Sequence, residues 1–548
     1  MTGASNAARQ LGPTEKSFYL GSRGDGPESG VNDMYLHIGV RARPSLLTRD
    51  RILKTWSAVL DAHPLLSAGV EFVDYEDISF RSCSSAAGTE ALHPRTEELV
   101  AFESGRSASE IISSYLNGPR TLSDEKLSYL VISRPGSAAD VAFGSAADHV
   151  DDEMRDFDFF LFSTHFLGDG MALHSTAGEF FRLLTAEQND EISPSKRTVS
   201  LPVAAEDRLP IGLTNTRFGA GIARADYEKE QARQIGAHTF PRERLGPRQT
   251  LVPTVSYPAE KSKRILAACK SHGVTLAHSI FALAAVAYTK TAAPERRRPE
   301  MPLMLYSAVN IRPYLKPVKG SSDWYHLAIG FYNIILPSFF VKDASVARAL
   351  FWHRAQSVKC QTTRIVKSPF LPTRTLLMAK QRETSSIRWE READEQRARS
   401  IKSVENGLKE LNVKQESDAA IAADHETEDG APVTVESVAK VTSTSTFVPQ
   451  TALMGLSMLG NLDGMYKHAE YSGVELHSLT TGSRQRAGAL LLFAYTFAGK
   501  LWLSLGYDVN GFERGVIEKW WDALQCGIDG LLLDENAIDD VGSSRGRQ

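Results

Sequence analysis

The run Phe157-Asp-Phe-Phe-Leu-Phe-Ser-Thr164 is too short for a buried helix and lacks the alternation of a half-exposed strand. It reads as a strand covered on both faces. Just downstream the apolar positions change period, and Met171, Leu173, Ala177, Phe180, Phe181 and Leu184 recur at helical spacing. A doubly buried strand feeding an amphipathic helix needs a sheet with helices packed on it, which is the α/β class. The connecting loop then lies at a strand's carboxyl end, where open α/β sheets present ligands.

A length of 548 residues leaves room for more than one such unit, with a soft prior of about three to four domains. Basic and acidic side chains nearly balance, 62 against 66, which argues against a general nucleic-acid binder. A hydrophobic share of 42% argues against wholesale disorder. Cys83, Cys269, Cys360 and Cys526 form no CxxC pair, so a zinc framework or disulfide scaffold is not expected and a reduced compartment is. The N-terminus lacks the apolar core of a signal peptide, and no Asn-x-Ser/Thr sequon occurs. The longest apolar stretch, Leu276 to Tyr288, holds His278 and is too short to cross a bilayer. A cytoplasmic protein without a membrane span is the expectation.

Periodicity predicts a helix over 15–20, a strand over 34–40, a helix over 47–62 with Leu53, Trp56, Val59 and Leu60 inward, and a strand over 68–73. Residues 82–88 read as a loop and 137–152 as an acidic turn region. Residues 187–247, rich in Pro, Gly and charge, read as a crossover linker with little core of its own. Strands are predicted over 250–257, 301–309, 327–336, 452–459, 488–496 and 500–507, and helices over 259–271, 275–291 and 344–365. A closing helix over 512–533 turns Trp520, Trp521, Leu524 and Ile528 inward. Residues 382–440, dense in charge, read as a flexible insertion: an exposed helix followed by a disordered acidic loop near 416–430.

The residues with most chemical content are Ser163-Thr164-His165-Phe166-Leu167-Gly168-Asp169-Gly170-Met171, a His-x-x-x-Asp-Gly pattern at the strand–helix junction. This spacing puts an imidazole at the strand end and a carboxylate at the mouth of the helix. A neutral imidazole there accepts a proton from a bound hydroxyl, a step that contributes about 10²–10⁴ in rate. The positive end of the helix dipole disfavours imidazolium and helps keep His165 neutral. Blander readings stand beside this one: Asp169 as a helix N-cap, Gly170 as a point of close backbone approach, and His165 as a satisfied core histidine. His165, Asp169 and His174 as metal ligands form a further alternative, and no metal is the expectation. His63 before Pro64 reads as structural. The Arg296-Arg297-Arg298 run reads as a solvated turn, with a phosphate contact as the sharper alternative. No Gly-x-Ser-x-Gly elbow is present, which disfavours a serine hydrolase.

The His165-Phe-Leu-Gly-Asp169-Gly170 segment resembles the active-site motif of the chloramphenicol-acetyltransferase-like superfamily, which includes alcohol acyltransferases and peptide-synthetase condensation domains. Other segments carry the resemblance in the same order. Trp56-Ser-Ala-Val-Leu60-Asp-Ala-His63-Pro64-Leu65-Leu66 is similar to the first long helix of condensation-like proteins. Asn310-Ile-Arg312-Pro313-Tyr-Leu315 with Gly330-Phe-Tyr-Asn333 resembles the region of the family's paired arginine. Leu456-Ser457-Met-Leu-Gly460-Asn461 resembles the strand facing the active site. Within the superfamily the resemblance is to fungal secondary-metabolite acetyltransferases of the trichothecene 15-O-acetyltransferase type. Two departures accompany it. Ser504-Leu-Gly506-Tyr-Asp508-Val-Asn-Gly511 stands where plant members carry Asp-Phe-Gly-Trp-Gly, and Thr164 stands where condensation domains have a second histidine.

The resemblance implies two α/β subdomains with mixed sheets flanked by helices and an active-site channel between them. Their expected spans are 1–190 and 248–548, joined by a linker at 191–247 and interrupted by the insertion at 382–440. It implies an acyl-CoA co-substrate, acetyl-CoA above all, with no bound cofactor, and a hydroxylated, largely apolar acceptor such as a sesquiterpenoid. His165 would be the general base, Asp169 would hold the loop through an ion pair with Arg312, and Ser457 or Asn461 would donate to the oxyanion. A monomer is expected. A condensation-type enzyme fed by a carrier protein and a catalytically silent ligand-binding relative are the rival readings.

Overall fold

The computed structural model describes residues 8–24, 29–82, 92–136, 153–186, 200–318, 325–339, 341–420 and 450–533. Three sheets organise it. A five-stranded sheet runs in the order Val474–Ser483, Met34–Ala42, Arg155–Ser163, Ser128–Arg134, Val100–Ser104. A seven-stranded sheet runs Ile329–Leu336, Leu303–Asn310, Met454–Asn461, Leu490–Phe497, Lys500–Asp508, Thr250–Leu251, with Thr254–Tyr257 also paired to Lys500–Asp508. A small sheet joins Ala8–Gln10, Ile78–Arg81 and Gly69–Phe72. Both larger sheets mix parallel and antiparallel pairs. The result is a two-lobed, mixed α/β fold.

The strand Arg155–Ser163 sits centrally in its sheet, between Met34–Ala42 and Ser128–Arg134, so both its edges are bonded and both its faces covered. That position explains its continuous apolar run. The helices Arg49–Ala62 and Gly170–Thr185 pack together on this sheet. Thr48 and Asp169 cap their N-termini through side-chain oxygens. In the other lobe the apolar helix Leu276–Thr291 is buried between Ala344–Val366 and Val516–Gly527. Along Leu490–Phe497 the side chains alternate between the two cores: Phe493, Tyr495 and Phe497 enter the first and Leu490, Leu492 and Ala494 the second. The turn that follows, at Ala498 (φ 51°) and Gly499 (φ 69°), uses the left-handed conformations of a tight hairpin.

Sheet membership departs from chain order. Val474–Ser483, a strand not predicted from the sequence, lies within the expected C-terminal span yet pairs antiparallel with Met34–Ala42 in the sheet of the first lobe. The strands Val100–Ser104 and Ser128–Arg134 and the helix Ala108–Asn117 were likewise not read from the sequence. The strand expected over 250–257 is split at Val252-Pro253, because proline has no N–H for the ladder. The closing helix begins at Val516 after Gly515 (φ 77°), and Trp521 is only partly buried beside fully buried Trp520, Leu524 and Ile528.

Two segments read as irregular hold more structure than the sequence showed. The supposed linker holds a helix, Arg217–Ala232, and a short turn at Ala205–Arg208 whose Glu206 and Arg208 are buried. Sequence reading missed the helix because only Ala223 on it is buried, so no apolar stripe marks it. The charged stretch from 382 belongs to a helix that begins earlier, Leu371–Ala420. Its first part is not a detached insertion. It packs on Pro13–Ser22, buries Ile387 in the first core, and is pinned by Lys16–Glu383 (3.0 Å) and Arg23–Asp394. The acidic turn region at 137–152 lies outside the described residues, as do all but the first residue of the 82–88 loop and residues 421–430 of the acidic loop. No single helix among the described residues is long and apolar enough to cross a membrane.

Candidate active site

His165 stands two residues past the end of Arg155–Ser163, and the loop through Gly168 turns the chain into Gly170–Thr185. Its Nδ1 lies 3.0 Å from the Gly168 carbonyl oxygen. A carbonyl can only accept, so Nδ1 carries the proton and Nε2 remains the ring's acceptor. The imidazole stacks on Phe18 at 4.4 Å between centroids, and it is partly accessible while its sequence neighbours are buried. Burial lowers its pKa below the ordinary 6.5, Asp169 works in the opposite sense, and the charge on Arg382 lowers it further. At neutral pH the ring is therefore uncharged, with one lone pair open.

Asp169 is placed very differently. Its Oδ1 accepts from the backbone N–H groups of Met171 (3.0 Å) and Ala172 (3.1 Å), and its Oδ2 accepts from Ala328 N–H (2.8 Å). Arg312 Nη1 donates to both oxygens, at 3.0 and 2.9 Å, and Arg312 Nη2 donates to the His326 carbonyl. Burial opposes the carboxylate's charge, but the guanidinium and the backbone N–H groups outweigh it and hold the pKa below the usual value. Asp169 thus caps the helix and ties the loop to the opposite lobe at once. Its oxygens are occupied by these donors, and the structure brings Asp169 and Arg312 together as a joint between lobes.

The glycines allow this closeness. A Cβ on Gly168 would lie 2.3 Å from the Tyr325 ring, and one on Gly170 would lie 3.0 Å from Leu459. Tyr325 is itself fixed at both ends. Its hydroxyl donates to Ser163 Oγ (2.8 Å) and its N–H donates to His63 Nδ1 (3.1 Å). Because His63 Nδ1 accepts, His63 Nε2 carries the proton and donates to Glu179 (2.7 Å). His63 is therefore a buried strut behind the loop.

Among the other candidates, Ser457 is half-buried on Met454–Asn461, paired with Phe493, whose side chain enters the first core. It shares that face with Gly455, across which lies the Tyr306 ring. Asn461 is exposed at the strand end, where its Oδ1 accepts from Thr496 Oγ1 (3.1 Å) and Asp463 N–H (3.2 Å). His165, Asp169 and His174 are not brought together as ligands. His174 is buried against Tyr466 at 2.9 Å, with its pKa pushed down to about 3 by burial, and no group of three or more His, Cys, Asp or Glu suited to a metal ion occurs among the described residues. In the Arg296-Arg297-Arg298 run, Arg296 pairs with Glu513 at 2.8 Å on the surface.

Three residues around His165 were not singled out from the sequence, Phe18, Tyr325 and Arg382, and neither was Tyr306, whose ring lies against Gly455 on the strand that carries Ser457. Phe331, which stands 6.5 Å from Phe18, was quoted only within a motif. Arg382 lies over the Phe331 ring at 4.0 Å. Tyr306 keeps 39% of its surface accessible, yet desolvation raises its hydroxyl pKa. A side chain that is both accessible and desolvated lines a cleft rather than an outer surface. No sequence period marks these residues, since they come from separate elements and both lobes.

The two-lobed arrangement, with the His-x-x-x-Asp-Gly loop joined across the lobes, is the chloramphenicol-acetyltransferase-like condensation fold. No protein-family model and no curated protein matches the chain. Among solved structures it is similar to the trichothecene 15-O-acetyltransferase of Fusarium sporotrichioides, at TM-score 0.69 and 12% identity over 98% of this chain and 97% of that one. It is also similar to the first condensation domain of the CDA synthetase (TM-score 0.56, 11% identity, 98% and 99% covered). A third likeness is polyketide synthase associated protein 5 from Mycobacterium tuberculosis (TM-score 0.53, 13% identity, 95% and 97% covered).

Proposed function

We propose that the chain is an acyl-CoA-dependent O-acyltransferase. His165 Nε2 removes the proton from an acceptor hydroxyl, whose oxygen attacks the thioester carbonyl. The tetrahedral intermediate collapses with expulsion of the thiolate, which takes up the proton from the imidazolium. The observation that carries this reading is the tautomer: the Gly168 carbonyl holds the proton on Nδ1 and leaves Nε2, partly accessible, as the open acceptor. Ser457 is the proposed donor to the oxyanion, since it is half-buried on the strand whereas Asn461 is exposed at the strand's end. Acetyl is the proposed acyl group, and the acceptor is a hydroxylated, largely apolar natural product of the sesquiterpenoid kind.

The fold alone does not select this chemistry, because condensation domains share it. The test is thiol release from acetyl-CoA with a panel of hydroxylated terpenoids, wild type beside His165→Ala. Acceptor-dependent release that disappears in the variant supports the proposal. Release that survives in His165→Ala removes His165 as the base. Transfer seen only from an acylated carrier protein moves the chain to the condensation class.

A further inference from the structure

Arg382 is set apart from the other cations of its helix by its place on the aromatic rings next to His165. Along the contact between Leu371–Ala420 and the N-terminal segment, Lys16 faces Glu383, and Arg23 and Arg397 face Asp394; near the start of the helix Arg374 meets Asp226 at 2.6 Å. Arg382 has no carboxylate partner among the described residues. Its guanidinium lies on Phe331 at 4.0 Å and 5.9 Å from the Phe18 ring, and Phe18 in turn stacks on His165. The charges that act on it are the Tyr306 phenol and a second cation, Arg486, which also acts on Glu390. Stacking on an aromatic face holds the guanidinium plane while leaving its edge N–H groups free to donate. An arginine so placed is matched to a planar anion.

We propose that Arg382 is an anion-recognition site beside His165, and that the acyl acceptor carries a carboxylate as well as the hydroxyl to be acylated. This deepens the acyltransferase reading and rests on it for the word acceptor. The donor's phosphates are the other source of anionic oxygen, but the long pantetheine arm holds them far from the thioester, whereas Arg382 is one aromatic ring away from the imidazole. The Phe18 and Phe331 rings between the two polar groups suit an apolar skeleton joining hydroxyl to carboxylate.

The test is calorimetric titration of the full chain with ω-hydroxydecanoate and with its methyl ester, for wild type, Arg382→Gln and Arg382→Lys, with acetyl-CoA titrated separately. The acid should bind wild type more tightly than the ester, and Arg382→Gln should weaken acid binding about tenfold or more while changing ester binding less than about twofold. Arg382→Lys should recover part of the loss, since charge remains but the planar fork does not. Equal affinity of acid and ester for wild type overturns the proposal. So does an equal loss for both ligands, which marks a structural role, or a loss confined to acetyl-CoA, which marks a donor-phosphate contact. Should Arg382→Gln unfold, the Lys variant and the wild-type acid/ester ratio still decide. Binding is read without turnover, so discrimination with no acetyl transfer leaves the anion site standing and removes the acyltransferase reading. Transfer without discrimination does the reverse.

Discussion

Asp169 and His165 are four positions apart in one loop, yet they sit in opposite electrostatic circumstances. The carboxylate is buried and saturated: two amides of its own helix, one amide from Ala328 and the Arg312 guanidinium occupy its oxygens. The imidazole is half-satisfied, with one nitrogen held by Gly168, the other without a hydrogen-bond partner among the described residues, and its face resting on Phe18 near Phe331 and Arg382. A group whose hydrogen-bonding capacity is filled by protein holds the fold, and one left deliberately short has capacity for a ligand. The same contrast separates Arg312 from Arg382, one neutralised by Asp169 and the other resting on an aromatic face.

The sharpest way to break this comparison is His165→Ala, which should lower kcat/KM by about 10²–10⁴ with the thermal unfolding midpoint unchanged. A midpoint that drops by many degrees would place His165 with the structural groups. Asp169→Ala should do the reverse in kind, costing about 3 kcal/mol of stability in a denaturant titration because Arg312 and the helix amides lose their partner. Because its pKa is depressed in the folded state, the ionised Asp169 contributes fully above the unfolded carboxylate pKa, and that contribution is lost as pH falls through the lowered folded value. The stability gap between wild type and Asp169→Ala should therefore narrow below about pH 4. A stable but inactive Asp169→Ala protein would instead make the carboxylate a chemical group.

Gly168→Ala tests whether the loop's closeness sets the imidazole. The new methyl collides with the Tyr325 ring, so a loss of about 1–3 kcal/mol is expected in the same titration, together with a fall in kcat. Unchanged stability and rate would show that Tyr325 is not a wall for the loop. The smallest effect is on pH dependence. His165 has a lowered pKa and must be neutral to act, so the acid limb of kcat/KM should lie below pH 6.5. Arg382→Gln removes one of the lowering influences and should move that limb upward. A limb that stays put would mean that Arg382 does not act on the imidazole.

Much of the architecture was legible where burial imposes a period. The strand at 157–164, the helix at 171–184 and the stripe of Leu53, Trp56, Val59 and Leu60 are all seen, since each buries a continuous face. Helices with little buried surface escaped, as Arg217–Ala232 did. In the Leu371–Ala420 helix the expected exposed helix is present, but its packing was not legible because its contacts are made by charged residues such as Glu383 and Asp394. Exposed-looking composition conceals a docking face when the partners are cations on another helix. Likewise Phe18, Tyr325 and Arg382 belong to no local pattern.

By itself the sequence determined the α/β class, the strand–helix junction and the identity of the residues at it, because period and residue type are local properties of the chain. The tertiary structure alone decided which atoms of those residues stay open. It closed Asp169 against Arg312 from 143 positions away, fixed the His165 proton on Nδ1, and left Arg382 on the Phe331 ring without a carboxylate partner among the described residues. Hydrogen-bond capacity and desolvation are set by what surrounds a group in space, and that is fixed only when both lobes have closed.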